Sequence, residues 1–95
     1  MEEYNDYKEF PRPDGKSVRV VFELFKNEIL YHYCEFRHDA NSEWISMKRD
    51  EDGYHSYTVK DADGKEREEK VFFPTLEEIA NASDEINKKY NILSI

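Results

Sequence analysis

In the stretch from Glu28 to His38, imidazole and thiol groups recur at alternate positions. His32, Cys34 and His38 therefore share one side of an extended chain. His55 is a further group of the same chemistry that a fold could bring near them. Zinc sites need three or four converging ligands, commonly from C-x-x-C pairs, and a His-x-Cys step on one strand supplies too few. A Cys–His nucleophile needs an exposed thiolate beside its base. Here His32 and Cys34 are same-face neighbours in a lean core. No metal, no cofactor and no catalytic residue is expected, and the chain is read as a non-enzyme.

Two acidic stretches, Asp50-Glu51-Asp52-Gly53 and Asp61-Ala62-Asp63-Gly64, invite a calcium reading. An EF-hand loop needs an acid first and a glutamate twelfth. Aligned on Gly53, those places hold Lys48 and Val59; aligned on Gly64, they hold Val59 and Lys70. Both stretches are instead hairpin turns, with an acid to open and a left-handed glycine to close. Asp14-Gly15-Lys16-Ser17 lacks the upstream glycine and the following helix of a phosphate loop.

The densest charge lies around the second turn: Asp61, Asp63, Glu66, Glu68 and Glu69. From Asp50 to Pro74 there are eight acids against four bases. Acid–base catalysis by a carboxylate pair needs a cleft that moves one pKa, and nothing in the pattern shows one. This is a solvated, charge-protected strand edge, or an acidic edge that meets a basic partner. If the carboxylates imitate a phosphate backbone, the chain is a nucleic-acid mimic that inhibits a larger protein.

The 95 residues are 38% hydrophobic and 38% charged, with a formal net charge of -8. A core this lean leans on its aromatics, 15% of the chain, since each buries roughly 150–250 Å². The acidic balance excludes direct binding to nucleic acid or to an anionic membrane, which need clustered Lys and Arg. It steers the chain toward basic protein surfaces. Cys34 has no intramolecular partner for a disulfide, which suits a reducing compartment. The opening MEEYNDYKEF lacks the basic and apolar regions of a signal peptide. No run reaches the ~18 apolar residues of a membrane helix. A cytoplasmic protein is expected.

Residues 1–14 read as an acidic arm in which Tyr4, Tyr7 and Phe10, spaced by threes, would suit a short helix ended by Pro11 and Pro13. A single domain spans 15–95. Its strands alternate with period two: Val18–Phe25, Glu28–His38, Glu43–Arg49, Tyr54–Lys60 and Lys65–Phe73. Pro74 stops the last of them. Thr75 and Glu78 then form a capping box for a helix carrying Leu76, Ile79, Ala80, Ile86 and Tyr90 at helical spacing. Ser83-Asp84 is a place where that helix could break, Asn91 is its left-handed cap, and Ile92, Leu93 and Ile95 form an apolar tail. The expected fold is α+β, a five-stranded antiparallel meander sheet with one face covered by a C-terminal helix.

Register in the first hairpin decides which face is inside, because a one-residue slip flips every side chain. A two-residue loop, Lys26-Asn27, pairs Leu24 with Ile29 and sets the tyrosines beside Val20 and Phe22. A three-residue loop, with Asn27 left-handed, pairs Leu24 with Glu28 and sets Leu30, Cys34 and Phe36 there instead. The second is preferred, since the even face is free of full charges from Leu30 to Phe36 while the odd face carries Glu35 and Arg37. Val21, Phe25, Ile29, Tyr31, Tyr33 and Trp44 then lie away from the helix. Such a face exceeds what a soluble monomer usually exposes, and Tyr and Trp commonly anchor interfaces.

The sequence thus points first to a small acidic protein-binding module, a regulator or inhibitor of a larger protein. Its contacts would be the aromatic face (Phe25, Tyr31, Tyr33, Trp44) or the acidic edge (Asp61, Asp63, Glu66, Glu68, Glu69). The alternatives are a homodimer or other homo-oligomer paired through the aromatic face, and a small-ligand or enzymatic domain with a pocket between sheet and helix, near His32 and Tyr90.

Overall fold

Val18, Val20, Phe22 and Leu24 fall on one side of a strand, and a strand this apolar needs neighbours on both edges and a cover on that side. The computed structural model, which describes residues 3–26 and 28–92, supplies all three. The elements in chain order are β1 (Glu3–Pro11), β2 (Ser17–Phe25), β3 (Glu28–Arg37), β4 (Ile45–Ser46), β5 (Tyr54–Lys60), β6 (Glu66–Phe72) and α1 (Leu76–Lys89). The fold is α+β with antiparallel strands and one C-terminal helix. The single five-stranded meander is not formed: β1-β2-β3-β4 make one sheet and β5-β6 a separate hairpin.

The supposed N-terminal arm is the edge strand of the larger sheet. It pairs with β2 along its whole length, from Glu3 opposite Phe25 to Pro11 opposite Ser17. Its inward positions are Tyr4, Asp6, Lys8 and Phe10, so two charges interrupt the apolar pattern that marks a strand. Those charges are matched from the helix. Lys89 Nζ and Tyr90 OH each donate to Asp6 Oδ2 at 2.6 Å, and Lys8 Nζ lies 3.2 Å from Glu85 Oε2.

The hairpin register corrects the sequence reading in an instructive way. Phe25 pairs with Glu28 and Leu24 with Ile29, so the loop has two residues, not three. Lys26 takes the positive φ, 53°, that a primed two-residue turn requires; the expected left-handed Asn27 lies outside the described residues. The ladder then shifts between Glu23 and Leu24, where the register passes from Ile29 to Tyr31 and leaves Leu30 out. This β-bulge restores the charge-free face to the core. Phe22 meets His32, Val20 meets Cys34 and Val18 meets Phe36. Two expected placements invert as a result: Ile29 packs against the core, while Leu30 is 48% exposed.

The core gathers Val18, Val20, Phe22, Leu24, Cys34 and Phe36 from the sheet, Val71 from the hairpin, and Ala82 and Ile86 from α1. Met47 joins them, although the strand expected over Glu43–Arg49 is reduced to Ile45–Ser46. The helix starts at the expected capping box: the Glu78 N–H donates to Thr75 Oγ1 at 3.0 Å, and the Thr75 N–H to Glu78 Oε1 at 3.0 Å. It runs through Ser83-Asp84 without a break. It ends in a Schellman pair, Asn91 N–H to the Lys88 carbonyl and Ile92 N–H to the Asn87 carbonyl, with Asn91 left-handed at φ 55°. Leu93 and Ile95 lie outside the described residues. Leu76 and Ala80 do not join the buried stripe, which is Ile79, Ala82 and Ile86; Leu76 is 78% exposed.

Three loops share one construction. Arg12–Lys16, Asp50–Tyr54 and Asp61–Lys65 are each closed by backbone bonds across the loop and by a glycine at φ near 87°, a conformation that side chains resist. The last two are the acidic turns read from sequence.

Candidate functional site

The outer face of the larger sheet carries the expected aromatics, but they are tied into ion pairs. Two guanidinium groups lie over the Trp44 ring, Arg19 at 4.2 Å and Arg37 at 4.4 Å. Arg19 also stacks on Tyr7 at 4.6 Å and pairs with Glu35 at 2.6 Å. Arg37 pairs with Glu9 at 3.0 Å. Ladder geometry explains this, since Glu9, Arg19 and Glu35 form one row across three strands. Next to it, Tyr7, Val21 and Tyr33 form another, and Val21 is 3% exposed. Tyr31 lies near Tyr33, with ring centroids 6.2 Å apart. Phe25 sits at the turn end, beneath the Lys26 ammonium at 5.3 Å. The face is thus a lattice of cation–π contacts with a small apolar row, rather than a bare aromatic surface.

The acidic edge divides over two faces of the hairpin. Alternation along β6 sends Arg67, Glu69 and Val71 inward and Glu66, Glu68, Lys70 and Phe72 outward. On the inner side Arg67 pairs with both Asp61 and Glu69, and Tyr57 OH donates to Glu69 at 3.0 Å. These donors hold the Glu69 carboxyl below its ordinary value, Arg67 most strongly. Asp63 is spent on its own turn, accepting from the Lys65 N–H. Glu66 and Glu68 remain on the outer face, without an ion pair among the described residues.

Beside them lies a hollow of about 450 Å³ lined by Asp50, Glu51, Asp52, Ser56, Glu68 and Lys70. Four carboxylates face one ammonium there, and Lys70 is held by Asp52 at 2.9 Å. Asp50 is fixed by Ser56 Oγ at 2.8 Å and the Tyr54 N–H at 2.9 Å. Hydrogen bonding with the Asp52 side chain, then with Ser56 and Tyr54, pulls its carboxyl down to about 2. The sequence named Glu68 for this region but not Asp50, Glu51 or Asp52. By type and spacing those acids read as turn formers, which they also are.

Across β6 the outer surface turns apolar. Phe72 and Tyr54 are half-exposed, with ring centroids 5.3 Å apart. A groove of about 470 Å³ separates Phe72 from Leu76 and Ile79 on the helix. This patch had no signal in the sequence, because Phe72 and Leu76 each belong to a pattern that reads as core.

Compared with known protein families, curated proteins and solved structures, the chain matches none.

The groups with catalytic chemistry do not assemble. Cys34 is 5% exposed, and burial pushes its thiol up to about 11. His32 is exposed on the same row as Phe22, with rings 6.0 Å apart. His38 and His55 both pack on Phe36, at 5.4 and 5.2 Å, where Tyr57 completes a four-ring cluster. His55 Nδ1 accepts from the Lys48 N–H at 3.0 Å. These histidines join the hairpin to the sheet. Among the described residues, no three His, Cys, Asp or Glu side chains converge as a metal site. Tyr90, the other pocket residue named from sequence, packs on Tyr4 at 5.3 Å. None of the three hollows described includes it or His32. Among the described residues, no helix is long and apolar enough to cross a membrane.

Proposed function

We propose that this chain is a non-enzymatic protein-binding module that regulates or inhibits a larger protein, and that it does so by laying the outer face of its β5–β6 hairpin against a basic surface. The observation that carries this reading is the hollow in which Asp50, Glu51, Asp52 and Glu68 outnumber Lys70, with Glu66 beside it. Carboxylates left without local cations keep their field in solvent and speed encounter with a basic partner. The apolar pair Tyr54 and Phe72 borders the same face, so a partner drawn in by charge meets area it can desolvate. The nine-residue β1 edge and the arginine-bound aromatics of the larger sheet offer no comparable imbalance. Nucleic-acid mimicry is the narrower form of this proposal, in which duplex DNA or RNA competes for the same site on the partner.

The test is affinity capture from the native cell with the wild-type chain and with a Glu66→Lys, Glu68→Lys variant as paired baits. A partner held through this face elutes steeply with salt and binds the variant at least about tenfold more weakly. Equal capture by both baits, insensitive to salt, removes the reading.

A further inference from the structure

Among the described residues Leu76 is the most exposed large apolar side chain, at 78%, and its place in the helix does not account for it. It stands at the first helical position, after the Thr75 cap. The apolar staple that fixes a helix entry joins the residue before the cap to the fourth helical residue, here Pro74 and Ile79. The buried stripe is Ile79, Ala82 and Ile86. Leu76 belongs to neither. It lines the groove of about 470 Å³ that lies between α1 and Phe72, itself 45% exposed. Phe72 also borders a second hollow of about 290 Å³, with Tyr54. Asp52 lines both the groove and the acidic hollow, so these depressions adjoin one another as a single face running from hairpin to helix. Charge along that face is not balanced locally. Arg12 is held by Glu78 at 2.8 Å and Lys70 by Asp52 at 2.9 Å, which leaves Arg49 as the other cation of the lining. Against it stand Asp50, Glu51, Glu68 and Glu77, which form no ion pair among the described residues.

We propose that this groove seats a large apolar side chain from a Lys- and Arg-rich segment of the partner, so that what binds the face is a basic amphipathic segment of protein. The proposal rests on the acidic face being the partner-binding surface, and it names the chemistry of what is bound there. Charge complementarity selects this occupant. An apolar side chain seated between Phe72 and Leu76 brings the cations of its own segment beside Asp50, Glu51 and Glu68 on the hairpin and Glu77 on the helix. That gives the face an apolar centre and a charged rim, the usual anatomy of a protein interface. A second copy of the chain does not fit, because an isologous pairing would set the same acids against themselves. A channel that holds a phosphate backbone supplies cations alone, and on it Phe72 and Leu76 would stay in water.

Binding of two short fluorescent peptides to the full chain, followed by anisotropy, is the test. One peptide carries lysines and arginines with leucines at helical spacing; the other has serine in place of each leucine. The wild type is expected to bind the leucine peptide at least about tenfold more tightly than the serine peptide. Leu76→Ser is expected to reduce that preference at least about threefold, with unchanged circular dichroism because the side chain is exposed. Phe72→Thr, checked in the same way, is expected to act alike. Glu66→Lys with Glu68→Lys is expected to weaken both peptides together and to keep their ratio. A wild type without preference for the leucine peptide overturns the proposal, and so does a preference that survives intact in both Leu76→Ser and Phe72→Thr. Salt-sensitive binding of the serine peptide, abolished by the double lysine variant, would in that case leave the acidic face standing. Equal binding of both peptides by the wild type and the double lysine variant removes both readings.

Discussion

The Cys34 sulfur lies on the inner row of β3, opposite Val20, under the helix. Desolvation disfavours its thiolate and holds the thiol near 11, so at neutral pH the reactive form is roughly 100-fold scarcer than at a free cysteine. Alkylation by iodoacetamide, followed by mass spectrometry, is therefore expected to be at least that much slower in buffer than in denaturant. Rapid labelling of the folded chain would mean that the helix does not cover this row. Its burial was legible in the sequence, because Cys34 shares the charge-free face of β3 with Leu30, His32 and Phe36. The fate of the aromatics was less so. Trp44 reads as an interface anchor by type, and nothing local shows that Arg19 and Arg37, seven or more residues away in sequence, stack over its ring.

Among elements, the junction of hairpin and sheet is built on a few aromatic residues around Phe36. A two-stranded hairpin is at best marginally stable alone, and β5–β6 leans on Phe36, which is fully buried beneath His38, His55 and Tyr57. Phe36→Ala is expected to cost about 3–5 kcal/mol. It should also collapse amide protection in Tyr54–Lys60 and Glu66–Phe72 before that in β2, as hydrogen exchange would show. Uniform loss across both sheets would instead make the molecule one cooperative unit. The hairpin itself was legible, since Asp-to-Gly turns and period-two segments are local signals. β1 was not. Asp6 and Lys8 occupy inward positions, and an inward charge reads as a break in pattern until the helix brings Lys89, Tyr90 and Glu85 to meet it. The bulge at Leu30 was equally hidden. Loop length alone does not decide the buried face, because one extra residue in the strand lets a two-residue loop and a charge-free inner face coexist.

At the scale of the whole molecule, length and charge act together. The chain extends 52 × 27 × 20 Å with a radius of gyration of 15.5 Å, where a compact domain of this size measures about 12 Å. It holds its net charge of -8 over that elongated surface. Self-repulsion opposes folding at neutral pH, and acidification toward the pI near 4.8 relieves it. A second set of groups works in the other direction. Glu78 accepts both guanidinium nitrogens of Arg12, at 2.8 and 2.9 Å, and those bonds depress its carboxyl against a smaller effect of burial. Burial raises Asp6, but the bonds from Lys89 and Tyr90 outweigh it and leave the group depressed. A carboxylate depressed in the folded state contributes its full stability above its unfolded pKa and loses it as pH falls through the folded one. For Glu78 the loss therefore begins below its ordinary 4.5. Thermal melts at low ionic strength should rise as pH falls from 7 to about 5, by on the order of 1 kcal/mol or roughly 4–8 °C, and then drop steeply below about 4. Moderate salt should flatten the rise by screening the repulsion, and Glu78→Gln should make the acid drop shallower while lowering the plateau. Melting temperatures that decline steadily from pH 7 downward would show that the ion pairs between β1, its loop and α1 outweigh self-repulsion across the whole range.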